Sequence, residues 1–171
     1  MSDKKLPFLF FDTVVLSNFS FAKGGIDFLK IRYHKRGIIT LQVLQEIVKA
    51  TYADWKHLEQ IKLNLLASGG FQKSSLTEKE QCHFIPLIRN LGEGEASCIA
   101  ASLEQQGVVV TDDRFARNIC KEKAIPISGT IGILKAACLD GILEADQANL
   151  MLSQMISFGF YSPIHKITDI L

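Results

Sequence analysis

Four short runs of apolar or β-branched residues, none of them alternating with polar positions, stand at Phe8–Phe11, Gly37–Thr40, Val108–Thr111 and Ile125–Ser128. Uninterrupted apolar character is what a strand buried on both faces shows, whereas a strand with one wet face would alternate. Between the runs the pattern changes to helical spacing. Leu41, Leu44, Val48 and Tyr52 share one helical face, as do Trp55, Leu58, Ile61 and Leu65, and again Ala96, Ile99, Ala100 and Leu103. Strands that alternate with helices predict an α/β fold: a three-layer α/β/α sandwich around a central, mostly parallel sheet of four to five strands. Residues 53–91 read as a helical extension, punctuated by Ser68-Gly69-Gly70, with Thr77 and Glu80 at the spacing of a capping box. After the last run, Gly129-Thr130 opens a helix to about Asp140-Gly141, and a final helix spans about Glu144 to Phe158. The length of 171 residues, without repeats or low-complexity tracts, suits a single domain over 1–171.

The charge balance narrows the partners. With 19 basic and 18 acidic residues the net charge is +1, so no global field draws the chain to nucleic acid or membrane, and any nucleic-acid contact must be local. Cys82, Cys98, Cys120 and Cys138 form no C-x-x-C pair and have no nearby histidine pairing, which predicts reduced, mostly buried thiols and no zinc site. The apolar run from Leu6 ends at Asp12, too short for a signal peptide or a span. Residues 147–164 carry no formal charge, but Gln147, Asn149, Ser153, Gln154 and Ser157 make them amphipathic. A cytoplasmic protein without a membrane partner is expected.

Acidic residues mark the junctions between elements: Asp12 after the first strand, Glu46 within the first long helical pattern, Glu93 and Glu95 in LGEGEASCIAA, and Asp112-Asp113 after VVVT. Ligands of open parallel sheets bind at the carboxyl edge of the strands, where Asp12 and Asp113 would emerge. Each acid also has an ordinary reading. Asp12 suits a helix N-cap, Glu93 and Glu95 suit the positive end of a helix, and Glu46, off the apolar stripe, suits solvent. Of Asp112 and Asp113, one is expected to face the crevice while the other caps the next helix. Together, three or four carboxylates can hold one or two Mg²⁺ or Mn²⁺ ions, which prefer oxygen ligands, and such a site can activate water against a phosphodiester. No G-x-S-x-G, P-loop, H-E-x-x-H or cysteine–histidine pairing competes. An aspartyl-nucleophile phosphatase would want a second acid two residues after Asp12, where the apolar Val14 stands.

Asp12-Thr13 with Leu16 after it, the helical Glu46, GEGEA at 92–96, TDDR at 111–114, IPISGTIGIL and the closing GFYSP together resemble the PIN-domain family, in a prokaryotic subgroup of predicted nucleic-acid-binding proteins. The resemblance spans nearly the whole chain and rests on the order and spacing of short motifs. It implies a Mg²⁺- or Mn²⁺-dependent endoribonuclease and, for VapC-like members, the toxin of a toxin–antitoxin pair with an antitoxin partner. Carried over by position, it implies Asp12, Glu46, Glu95 and Asp113 as the catalytic quartet, with Asp12, Glu95 and Asp113 as metal ligands. Thr13, Asn18, Glu93 and Asp112 stand beside them as auxiliary residues. Val14, where many members carry a small polar residue, and glutamate at position 95 depart from the pattern, so a PIN-like binding protein without cleavage stands as the alternative. Arg114 and Arg117 follow the last acid and are candidates for RNA contact, Arg117 alternatively for an ion pair with an acid. Lys30, Arg32, His34, Lys35 and Arg36 around Tyr33 offer phosphate contacts and a stacking ring, or a solvated helix end. Leu152, Met155 and Ile156 form an apolar strip suited to a homodimer or to the chain's own core.

Overall fold

The structure is a computed structural model and describes residues 6–171. Five strands, β1 (Leu9–Phe11), β2 (Gly37–Thr40), β3 (Gln72–Ser74), β4 (Val108–Val110) and β5 (Ile127–Ser128), form one sheet in the order β3-β2-β1-β4-β5. Every pairing is parallel. Leu9 and Phe10 pair with Gly37 and Ile38 on one side and with Val108 and Val109 on the other, so β1 is central. That placement explains its composition, since Leu9, Phe10 and Phe11 are all buried. The chain leaves β1 in one direction to build β2 and β3, then returns past it to build β4 and β5. The reversal puts a topological switch point between the carboxyl ends of β1 and β4.

Helices α1 (Thr13–Phe21) and α2 (Gly25–Arg32) connect β1 to β2, and α3 (Leu41–Tyr52) follows β2. Helices α4 (Glu78–Leu87) and α5 (Glu93–Gln105) lead to β4, α6 (Arg114–Glu122) joins β4 to β5, and α7 (Thr130–Leu139) and α8 (Ala145–Ser157) close the chain. The α/β/α architecture is as the sequence predicts. Helix α5 packs on β1, β2 and β4 and is buried at Gly94 and from Ala96 to Ser102, because small residues there let it lie close to the sheet. Thr77 and Glu80 make the predicted capping box, the Thr77 N–H donating to Glu80 Oε2 at 2.8 Å.

Three expectations are corrected. The 53–91 stretch contains a 3₁₀ turn (Lys56–Leu58), a π-helical turn (Ile61–Leu65) and then β3, an edge strand whose sequence Gln-Lys-Ser carries no hydrophobic signal. The buried face of α3 is Val43 and Ile47, not the Leu41–Leu44–Val48–Tyr52 stripe, of which Leu41 and Tyr52 are exposed. Tyr33 is buried against Phe11, with the guanidinium groups of Arg32 and Arg36 over its ring at 5.4 and 5.8 Å, so it offers no free stacking surface. Leu152 and Met155 of α8 pack into the chain's own core. Cys98 and Cys120 are buried, Cys138 is partly covered, Cys82 is exposed, and all four are free thiols. No helix among the described residues is long and apolar enough to cross a membrane.

Candidate active site

Asp12 follows β1 directly and caps α1. Its Oδ1 accepts the Thr13 N–H at 2.6 Å and its Oδ2 accepts the Thr111 hydroxyl at 3.1 Å. The ordinary reading of Asp12 as an N-cap is therefore correct as far as it goes, but the cap is 1% exposed. A capping aspartate gains from the helix dipole when solvent can share its charge; a buried one must be desolvated as well. Burial first, and then the charges of Glu95 and Glu46, push its carboxyl up to about 8, against the opposing hydrogen bonds from Thr13 and Thr111.

Glu46 lies on α3 beside Ile47, at the edge of the true buried face, and is not a solvated residue. Its Oε2 accepts a short hydrogen bond from the Thr13 hydroxyl, and its Oε1 accepts the Gly94 N–H at 2.8 Å. Glu46 thus ties the starts of α1 and α5 together. Gly94 is what permits the approach: a Cβ at that position would lie 2.5 Å from Glu46 Oε2. The interleaved glycine of GEGEA makes room for a carboxylate arriving from another helix.

Glu95, in the first turn of α5, is half-buried. Burial raises its pKa, helped by the charges of Glu46 and Asp113. One turn further along α5, the buried Cys98 thiol is pushed up by burial and then by Asp12, Glu46 and Glu95 in turn. Asp12, Glu46 and Glu95 therefore all act electrostatically on Cys98, and Glu95 links them to Asp113. Among the described residues none of the four forms an ion pair; the salt bridges are Arg32–Asp140 and His83–Glu104, both elsewhere. Glu93 opens α5 but is exposed and lies outside the cleft described below.

Asp112 and Asp113 divide their work. Asp113 caps α6, Oδ1 accepting the Ala116 N–H at 2.7 Å, while its Oδ2 takes no hydrogen bond from the described residues. Asp112 is fully engaged: Oδ1 accepts the Thr130 N–H at 2.9 Å, and Oδ2 accepts the Thr130 hydroxyl at 2.5 Å and the Asn18 amide at 3.2 Å. The expectation that the non-capping aspartate alone would face the crevice is corrected, since both line it and the capping one faces Glu95. Asn18 is nearly buried, and its Nδ2 donates to Asp112 Oδ2 at 3.2 Å and to the Thr130 hydroxyl at 3.1 Å. Among the described residues Arg117 forms no ion pair with an acid; its Nη1 donates to the backbone carbonyls of Thr111 and Ser128 at 2.9 and 3.1 Å, clamping the ends of β4 and β5. Arg114 is exposed at the first residue of α6.

Of these groups Glu95, Asp112 and Asp113 open onto a cleft of about 600 Å³, whose lining does not include Asp12 or Glu46. Thr13, Asn18, Glu95, Asp112 and Asp113 form its floor, and Phe21, Trp55, Phe158, Phe160 and Tyr161 line its wall. The aromatic wall went unseen in the sequence, because its members are brought together from the ends of α1, the 56–58 turn and α8. Thr111 and Thr130, the hydroxyls that hold Asp12 and Asp112, also escaped notice, although each stands next to a junction acid or glycine.

The donor set fits a hard divalent cation. Every candidate ligand is an oxygen, and Asp12 is crowded by two other acids with only a proton to relieve it. Among the described residues, however, no three acidic, histidine or cysteine side chains already stand where they share one ion. Glu46 is held by Thr13 and Gly94 and Asp113 by its cap, so three carboxylates meet at one ion only after side chains turn.

A parallel sheet of this topology with a carboxylate cluster at its switch point is an architecture of hydrolases and nucleotide-binding proteins alike. Residues 8–171 match a family model described as a PIN domain, and the chain belongs to that family. PIN domains are generally nucleases that use divalent metal ions and act on nucleic acid. No curated protein matches the chain.

Proposed function

We propose that this protein is a metal-dependent ribonuclease of PIN type, hydrolysing RNA phosphodiester bonds at the acid cluster, with Mg²⁺ or Mn²⁺ as the ion. The observation that carries the reading is the buried Asp12, which feels the charges of Glu95 and Glu46 with no ion pair from a basic side chain to any of them among the described residues. A buried carboxyl forced to keep its proton costs stability, and a cluster of such acids beside a cleft is the mark of a functional site. Asp12, Glu95 and Asp113 are the residues that would hold the ion. A bound divalent cation would supply an activated water and a counter-charge for the phosphodiester oxygens. Glu46 orients the Thr13 hydroxyl and fixes the first turn of α5, which carries Glu95. Asp112, Asn18 and Thr130 hold the segment from which Asp113 projects, and Arg117 braces the strand ends beneath it. Incubation of unstructured RNA with the protein and Mn²⁺ should give cleavage that EDTA stops and Asp12→Asn reduces at least about 100-fold. Equal activity in that variant would defeat the reading. As the toxin of a toxin–antitoxin pair, the chain would arrest growth on induction, and Asp12→Asn would relieve the arrest.

A second reading, a PIN-like protein that binds nucleic acid or a partner without cutting, is favoured by the want of a ready three-carboxylate group among the described residues. Calorimetry separates the two: micromolar Mn²⁺ affinity supports the nuclease, and no ion uptake by a well-folded protein supports the binding role.

A further inference from the structure

The cleft has a character that phosphodiester cleavage alone does not use. Among the described residues the exposed aromatic side chains are Tyr52, Trp55, Phe115, Phe158 and Tyr161, and three of these five line this one cleft. Phe158 is 63% exposed and Tyr161 93%. An exposed ring forgoes the burial that drives folding, and a concave cluster of such rings marks a binding surface. Part of the wall is also ordered as a stack, with Trp55 tilted beside it at 44° to the His57 ring. Phe158 lies over Phe21 at 4.7 Å with the ring planes 4° apart, and Phe21 in turn stacks on His57 at 4.0 Å and 21°. The His57 Nε2 is 3.0 Å from the Ser17 hydroxyl, which anchors that end of the ladder to α1.

Among the described residues no lysine or arginine lines the cleft; Lys56 and Arg114 adjoin its lining residues Trp55 and Asp113. A neutral planar group therefore suits the wall, and the phosphates belong at the rim and, where a divalent cation screens them, at the acids. We propose that Phe158, Trp55 and Tyr161 form a base-stacking subsite for an unpaired nucleobase, next to the phosphate presented to Glu95 and Asp113. This rests on the nuclease reading for the identity of the ligand. Parallel plates favour a planar ring that continues the stack, whereas an aliphatic side chain of a peptide gains nothing from their alignment. A base already paired and stacked in a duplex cannot enter, so the subsite selects single strands.

Trp55 is the single tryptophan of the chain, so its fluorescence reports on the wall directly. The full-length protein, with Ca²⁺ in place of Mn²⁺, is titrated with single-stranded oligoadenylate, the same backbone carrying abasic sites, and oligoadenylate annealed to its complement. The single strand should quench Trp55 saturably, with binding weakened roughly ten-fold or more by Phe158→Ala and by Tyr161→Ala, and retained by Phe158→Tyr. Tyr161 is almost wholly exposed, so its loss leaves the fold intact and its result stands even if Phe158→Ala fails to fold. Equal binding of the abasic or duplex probe, or an unaffected Tyr161→Ala, overturns the subsite. So does quenching by an arginine–leucine peptide but by no oligonucleotide, which would assign the wall to a protein partner. Base-dependent binding without Mn²⁺ cleavage would sustain the subsite and overturn the nuclease. Cleavage indifferent to abasic sites and to Tyr161→Ala would do the reverse.

Discussion

Asp12 and Asp112 occupy related places, each just past the end of a central parallel strand, yet their surroundings are opposite. Asp112 is met by a backbone N–H, a hydroxyl and an amide that together occupy both of its oxygens. Asp12 has one N–H and one hydroxyl, deeper burial, and two further carboxylates for company. The first arrangement is what a polar group needs to be buried at little cost; the second costs stability unless something positive arrives. Satisfied polarity at one strand end holds the frame, and frustrated polarity at the next one marks the place where chemistry is expected.

The sharpest way to break this contrast is to neutralise each aspartate. Asp12→Asn, which should abolish cleavage, should at the same time raise the Tm of the metal-free protein near neutral pH, because it removes the cost of keeping a buried carboxyl protonated while keeping the shape. Unchanged or lowered stability would mean that Asp12 is not strained. Asp112→Ala should act in the opposite sense, destabilising by about 2–4 kcal/mol in urea melts, since it leaves Thr130 and Asn18 without their acceptor at the start of α7. If the two variants moved Tm in the same direction, the distinction between the two sites would be lost.

The pH dependence sharpens the same point. Asp12 has its folded-state pKa raised to about 8 from an ordinary 3.8, so between those values the folded state keeps a proton that the unfolded chain has released. Metal-free stability should therefore fall as pH rises through this window, by at most about 1.4 kcal/mol per pH unit from this group. Asp12→Asn should flatten that slope. Ion binding, which needs the carboxylate ionised, should tighten over the same range and release about one proton at pH 7, measurable by calorimetry in buffers of different ionisation enthalpy. No proton release would place Asp12 outside the ligand set.

The smallest effect on stability belongs to Gly94→Ala. The added methyl displaces the Glu46 carboxylate and its bond from the Gly94 N–H, a loss of about 1–2 kcal/mol, while helix propensity returns about 0.5–1 kcal/mol. Tm should change little, whereas Mn²⁺-dependent activity should drop about ten-fold or more. A large loss of Tm with activity retained would make Gly94 a packing residue and nothing else.

The strands β1, β2 and β4 were legible in the chain because a strand covered on both faces must be apolar along its whole length, and α7, α8 and the Thr77 cap carried their own punctuation. Asp12 and the Asp112-Asp113 pair were legible for a related reason: an acid that abruptly ends an apolar run has to emerge at a sheet edge. Other features had no local signature. Strand β3 is polar because it is a short edge, held by pairing with Ile38, Ile39 and Thr40. Glu46 looked solvated because its partners, Thr13 and Gly94, lie 33 and 48 residues away. Arg117 read as an RNA contact or as the ion-pair partner of an acid, and nothing in its neighbourhood announces that the Thr111 and Ser128 carbonyls would take its Nη1.

By itself, then, the sequence determined the alternation of strand and helix, the parallel sheet and the order in which acids arrive at its carboxyl edge. These follow from the periodicity of burial, which each segment carries within itself. Tertiary structure alone decided which acids stay frustrated and which are satisfied, and which rings meet to wall the cleft. Hydrogen-bond partners and desolvation come from residues distant in the chain, and only folding brings them within reach.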